Sequence, residues 1–131
     1  KAIAVINPGN PTGTIFKISN SDNYQIRTKN KLVIIADEVY RDNIYKPNVK
    51  FSSFRKILNK LDNDLKENCE LVSLNSLSKG LLGECGLRGG YMELHNLSPD
   101  VQQQLLKLKS IFLCSNSIGQ ITIDLMVNPP L

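Results

Sequence analysis

Three short apolar runs, each ending on polar residues, constrain this chain more than anything else in it. They are Ala2–Ile6 (AIAVI), Leu32–Ala36 (LVIIA) and Glu70–Leu74 (ELVSL). The first two are apolar at every position, the pattern of a parallel strand buried on both faces rather than one with a wet face. The stretches between the runs are long enough for crossovers, which parallel strands require and hairpins do not. Strand, crossover, strand, crossover, strand is the grammar of an α/β fold. It predicts a three-layer α/β/α arrangement around a mostly parallel sheet.

The intervening segments fit this frame. Asn7-Pro8-Gly9-Asn10-Pro11-Thr12-Gly13 carries two prolines and two glycines and reads as a fixed turn. Ile18–Lys31 is polar and poorly patterned, and is assigned to a helix. Ser52 or Ser53 caps a helix whose stripe is Phe54, Ile57, Leu58, Leu61 and Leu65. Gly80–Gly90 is a glycine-rich loop, and Tyr91–Leu94 reads as a fourth strand. Ser98 and Pro99 supply the N-cap and first residue of a helix that places Val101, Leu105, Leu108 and Phe112 on one face. Asn116–Val127 is expected to form a last helix before Pro129 and Pro130. No internal repeat, low-complexity tract or linker is visible.

Composition narrows the function classes. A 131-residue chain suits one domain and hides roughly two thirds of its unfolded surface. Its net charge of +4 is spread over lysines interleaved with Asp and Glu, and only 6% of residues are aromatic. A nucleic-acid reader clusters its cations with aromatic partners, so no nucleic-acid partner is expected. No apolar run reaches the ~18 residues of a membrane span, and Lys1–Asn10 lacks the features of a signal peptide. Cys69, Cys85 and Cys114 form no C-x-x-C pair. That pattern argues against a disulfide framework or a metal site and for a reducing compartment, read as the cytoplasm; any targeting segment would lie upstream.

In open parallel sheets the ligand sits beyond the carboxyl ends of the strands. Asn10 follows the first run, Asp37 and Tyr40 follow the second, and Ser76, Ser78 and Lys79 follow the third. Their convergence on one rim points to a polar, anionic ligand. Taken singly, each has a plainer reading: Asp37 as a turn cap, Tyr40 as core edge, Asn10 as a partner for turn backbone, Lys79 as a surface cation. Glu38 beside Asp37 is not read as an acid/base pair, because neighbouring strand residues face opposite ways. His95 is isolated and reads as structural, and Cys85 has no sequence partner to activate it.

NPGNPTG (Asn7–Gly13), ADEVY (Ala36–Tyr40) and SLSK (Ser76–Lys79) followed by GLRGGY (Gly86–Tyr91) stand in one order and spacing. That set resembles the fold-type I aminotransferases, which use pyridoxal 5′-phosphate (PLP), and the resemblance covers nearly the whole chain. KGLLGECGLRGGY (Lys79–Tyr91) and VQQQLLKLKSIFLC (Val101–Cys114) look most like the alanine branch of that family. Arg88 lies nine residues after Lys79, as in that branch, whereas many other relatives have a spacing of eight.

The resemblance implies roles. Lys79 would bond covalently to the PLP aldehyde and later move a proton. Asp37 would pair with the pyridine nitrogen, while Asn10 and Tyr40 would hydrogen-bond the phenolate oxygen. Ser76, Ser78 and Arg88 would hold the phosphate. The implied reaction moves an amino group between L-alanine and 2-oxoglutarate, giving pyruvate and L-glutamate, so the partners would be amino-acid and 2-oxo-acid substrates. The family also implies a homodimer and a chain of several hundred residues, of which residues 1–131 would be the central part of the PLP-binding large domain. The cofactor-stacking ring and the substrate-binding arginine are then expected elsewhere, leaving these residues inactive alone. Two alternatives stand beside this reading: another PLP enzyme of the same fold, such as an aminocyclopropane-carboxylate synthase-like lyase or other aminotransferase, and a non-catalytic interaction module.

Overall fold

The computed structural model describes residues 1–16 and 30–130. Most of the helix assigned to Ile18–Lys31 lies outside them. Four strands form one sheet in the order β1 (Ala2–Ile6), β2 (Val33–Asp37), β3 (Leu71–Ser76) and β4 (Gly90–His95). β1, β2 and β3 run parallel, with Ala2 opposite Val33, Ile6 opposite Asp37, and Ile34 opposite Leu71. β4 returns antiparallel to β3, Ser76 facing Gly90 and Leu71 facing His95. The expected α/β class with a mostly parallel sheet is what the chain adopts. Because β1, β2 and β3 point the same way, Asn7, Asp37 and Ser76 all lie at one edge of the sheet.

The core lies on one face of the two middle strands. Ile34, Ala36 and Leu71 are buried there, packed against Phe54 and Leu58 of α1 (Phe54–Leu58), with Cys69 beside them. Ser53 caps α1 as its sequence predicts, its side chain accepting from Lys56 N at 3.1 Å.

The single helix expected from Phe54 through Leu65 is instead two, α1 and α2 (Asn63–Asn68). Lys60 N and Leu61 N bond to carbonyls three residues back, at 2.8 and 3.1 Å. That tightens the end of α1, and extended Asp62 restarts the chain as α2. Leu61 still packs against the core, and Leu65 is half-buried.

Two burial expectations are corrected. β1 is apolar, yet it lies at the sheet edge and only Val5 joins the core; Ile3 and Ile6 are exposed by 41% and 43%. An edge strand has a neighbour on one side only, and no described helix covers its faces. α3 (Pro99–Ser110) starts at Ser98 and Pro99 as expected. Of its stripe, however, only Leu105 is half-buried, while Val101, Leu108 and Phe112 are exposed. Nothing among the described residues packs over them, so amphipathic spacing is present without a partner face. α4 (Ser117–Val127) begins one residue after Asn116, which is its N-cap.

Candidate functional site

The turn after β1 is held from both sides. Asn7 is buried; its N–H donates to Asp37 O at 3.0 Å, and its Oδ1 accepts from Phe16 N at 3.0 Å. Gly9 N to Thr14 O (2.9 Å) and Gly13 N to Gly9 O (2.8 Å) close the loop. This fixed turn carries Asn10 to the rim, where its Nδ2 donates to Tyr40 Oη at 2.8 Å. Tyr40 itself lies in a turn secured by Arg41 N to Glu38 O (3.0 Å) and Asn43 N to Tyr40 O (2.9 Å).

Asp37 closes β2, its Oδ1 accepting from Val39 N at 3.3 Å. Glu38 turns the other way into the fold, where its Oε1 accepts from Phe54 N at 2.7 Å at the start of α1. Burial pushes the Glu38 carboxyl above its usual range, a shift the Phe54 N–H and Arg41 oppose and Glu93 reinforces. The two carboxylates therefore serve different surroundings, as the strand alternation predicts.

The segment after β3 is pinned by its own backbone. Leu77 is fully buried, its N–H donating to Gly89 O at 3.0 Å and its carbonyl accepting from Glu84 N at 2.8 Å. Ser76 Oγ donates to Gly89 O at 3.3 Å and accepts from Ser78 N at 3.0 Å. Lys79 sits past this plug, with Nζ 5.7 Å from the centroid of the Tyr40 ring, within cation–π reach. Gly80, at φ +61, donates its N–H to Asn43 Oδ1 at 3.1 Å and fixes where the chain leaves Lys79.

Arg88 takes the left-handed conformation, φ 49, and its Nη1 donates to Cys85 O at 2.9 Å. Ser76, Ser78 and Arg88 line one cavity of about 380 Å³ together with Lys109, Asn116 and Gln120. Two cationic side chains, three serine hydroxyls and no carboxylate line it, a donor set suited to an anion such as phosphate. Lys79 lines a neighbouring cavity of about 220 Å³ instead, and Ser76 borders both. The candidate residues thus form two groups, Asn10–Tyr40–Lys79 and Ser76–Ser78–Arg88, joined by the strand end and turn at Ser76. Asp37 stands at the end of the middle strand β2 and lines neither cavity.

Sequence reasoning missed Lys109, Asn116 and Gln120. Asn116 was legible as a helix cap, but nothing in its spacing shows that α4 starts against Arg88. His95, read from the sequence as structural, has its Nε2 3.1 Å from Lys66 O, beside Asn96, which caps the end of α2 through Lys66 O and Glu67 O.

An open sheet with a donor-rich rim at the carboxyl ends of its parallel strands is the arrangement of an α/β domain, a class that places its ligands beyond those ends. This chain belongs to the aminotransferase class I and II family, whose model matches residues 1–131. It is 46% identical over 131 residues to alanine aminotransferase 2 of Xenopus laevis, covering 99% of this chain and 24% of that one. It is 47% identical to the mitochondrial alanine aminotransferase 1 of Arabidopsis thaliana, with the same coverage. Among solved structures it resembles the tyrosine aminotransferase of Leishmania infantum, with a TM-score of 0.81 at 25% identity over 99% of this chain and 34% of that one. The chain therefore spans about a quarter of the length of the curated relatives it matches. Among the described residues, no helix is long and apolar enough to cross a membrane.

Proposed function

We propose that this chain is the cofactor-holding part of a PLP-dependent aminotransferase that moves the amino group of L-alanine to 2-oxoglutarate, giving pyruvate and L-glutamate. The carrying observation is the rim itself: a cation-lined cavity at Ser76, Ser78 and Arg88 beside Lys79, within a chain similar over its whole length to alanine aminotransferases. The donor set fits PLP. When bound, PLP supplies an aldehyde that captures amines and a ring that acts as an electron sink.

The chain's own residues then divide the work. Ser76, Ser78 and Arg88 would hold the phosphate, Arg88 through the fork of its guanidinium. Asp37 would keep a proton on the pyridine nitrogen, and Asn10 with Tyr40 would orient the ring through its phenolate oxygen. Lys79 would hold the aldehyde end, and its Nζ, as a free neutral amine, would take a proton from the substrate Cα and return it. The Tyr40 ring face near Nζ limits where that amine can swing.

We read residues 1–131 as the central part of a large cofactor-binding domain in a longer homodimeric protein, a reading supported by their share of the relatives' length. The stacking ring and the substrate-carboxylate arginine then come from elsewhere in the assembly. We propose a reducing compartment, the cytoplasm or an organelle: the three cysteines are free, and one relative is named as mitochondrial. The test is the full-length protein with PLP, L-alanine and 2-oxoglutarate. Pyruvate formation that requires 2-oxoglutarate supports the proposal; consumption of an amino acid without any oxo-acid acceptor supports a lyase of the same fold instead.

A further inference from the structure

We infer that Asn116 and Gly119, at the start of α4, are positioning residues that clamp the backbone carrying Arg88 and so aim its guanidinium at the anion cavity. The inference rests on the reading in which that cavity takes the phosphate of PLP. Arg88 is a non-glycine residue at φ 49, a conformation that persists only where the surroundings impose it. Asn116 Nδ2 donates to Leu87 O at 3.1 Å, directly before Arg88. The same side chain caps α4, its Oδ1 accepting from Ile118 N at 3.0 Å. One amide thus ties the loop to the first turn of the helix.

Gly119 completes the clamp by close approach. A Cβ there would lie 2.6 Å from Leu87 O, 3.3 Å from Arg88 O and 3.3 Å from the Gly89 Cα. From the other side, a Cβ on Gly89 would lie 2.5 Å from Leu77 Cδ1 and 3.0 Å from Gly119 O. Residues 87–89 are therefore held between the buried Leu77 and the backbone of α4, with no space for a methyl group on either glycine. Arg88 cannot shift without moving one of these surfaces, and Asn116 itself lines the cavity that Arg88 serves.

Asn116→Ser in the full-length protein isolates the clamp. Serine is also a good N-cap, so α4 keeps its start, but its shorter side chain does not span the gap to Leu87 O. Apo protein is titrated with PLP and, separately, with pyridoxal, which lacks the phosphate. We expect Asn116→Ser to weaken PLP roughly three- to tenfold, the scale of one hydrogen bond, and to leave pyridoxal unchanged. In an Arg88→Ala background the same change has no further effect, since both act through one contact. Equal loss for both ligands, unchanged PLP affinity, or full additivity with Arg88→Ala overturns the inference. Amide hydrogen exchange without ligand separates the clamp from the PLP reading: Asn116→Ser speeds exchange at Leu87–Gly89, and unaltered exchange there rejects the clamp. A parent protein that takes up no PLP at all rejects the PLP reading instead.

Discussion

Asn10 Nδ2 donates to the Tyr40 hydroxyl oxygen across 2.8 Å and so joins the turn after β1 to the turn after β2. Because the phenol accepts here, its own hydrogen is left to donate toward a ligand on the rim. In the proposed site the two residues would act as one device for orienting an acceptor atom. Asn10→Ala and Tyr40→Phe in the full-length protein should each weaken PLP about five- to tenfold, near 1–1.5 kcal/mol. The double variant should fall well short of the sum, which equilibrium titration of the four proteins measures.

Asp37→Ala should damage chemistry more than cofactor capture. In the proposed site Ser76, Arg88 and Lys79 would anchor the ligand elsewhere, whereas the carboxylate at the end of β2 alone would favour a protonated ring nitrogen. Loss of ~3 kcal/mol of transition-state stabilisation lowers kcat roughly a hundredfold. PLP occupancy by absorbance and single-turnover rates with alanine separate the two effects. Full occupancy at the parent rate would make Asp37 a structural strand end.

The strands and the rim were legible because both follow from local pattern. LVIIA and ELVSL name β2 and β3 to within two residues, and polar residues at strand ends must share an edge once the strands are parallel. What the sequence withheld depends on packing partners. AIAVI looks doubly buried, yet Ile3 and Ile6 are exposed because β1 is an edge. The Val101–Leu108–Phe112 stripe has helical spacing and no described partner. Likewise the stripe from Phe54 to Leu65 runs across a break, since the chain restarts as a second helix at Asp62. Asn116 and Lys109 join the cavity lining only through the tertiary placement of α3 and α4, a distance no local spacing encodes.

Glu38 gives a pH signature. Burial raises its carboxyl in the folded protein, so the native state binds the proton more tightly than the unfolded chain does. Its contribution to stability is therefore greatest in acid and is lost as pH rises from the ordinary carboxyl range through the raised value. Glu38→Gln keeps an acceptor for Phe54 N without the buried charge. Urea midpoints of the full-length protein across that range should show the variant gaining on the parent as pH rises. A constant difference would mean the charge of Glu38 is not the cause.

Gly89→Ala should be costly despite adding one methyl group. The new carbon meets Leu77 Cδ1 at 2.5 Å and Gly119 O at 3.0 Å. The first neighbour is a fully buried side chain and the second is backbone, so neither yields freely. Overpacking of this kind costs about 1–3 kcal/mol. Thermal melts should show the loss, and PLP affinity should fall with it because Arg88 is displaced. Parent-like stability would show that the loop moves aside.

The central claim is that Lys79, set past the Leu77 plug and under the Tyr40 ring, is the lysine that takes the cofactor. Borohydride reduction of the PLP-loaded full-length protein makes the lysine–cofactor bond permanent, and peptide mapping then locates it. We expect the phosphopyridoxyl label on Lys79 alone. A label on Lys109, which lines the Arg88 cavity where Lys79 does not, would contradict the assignment.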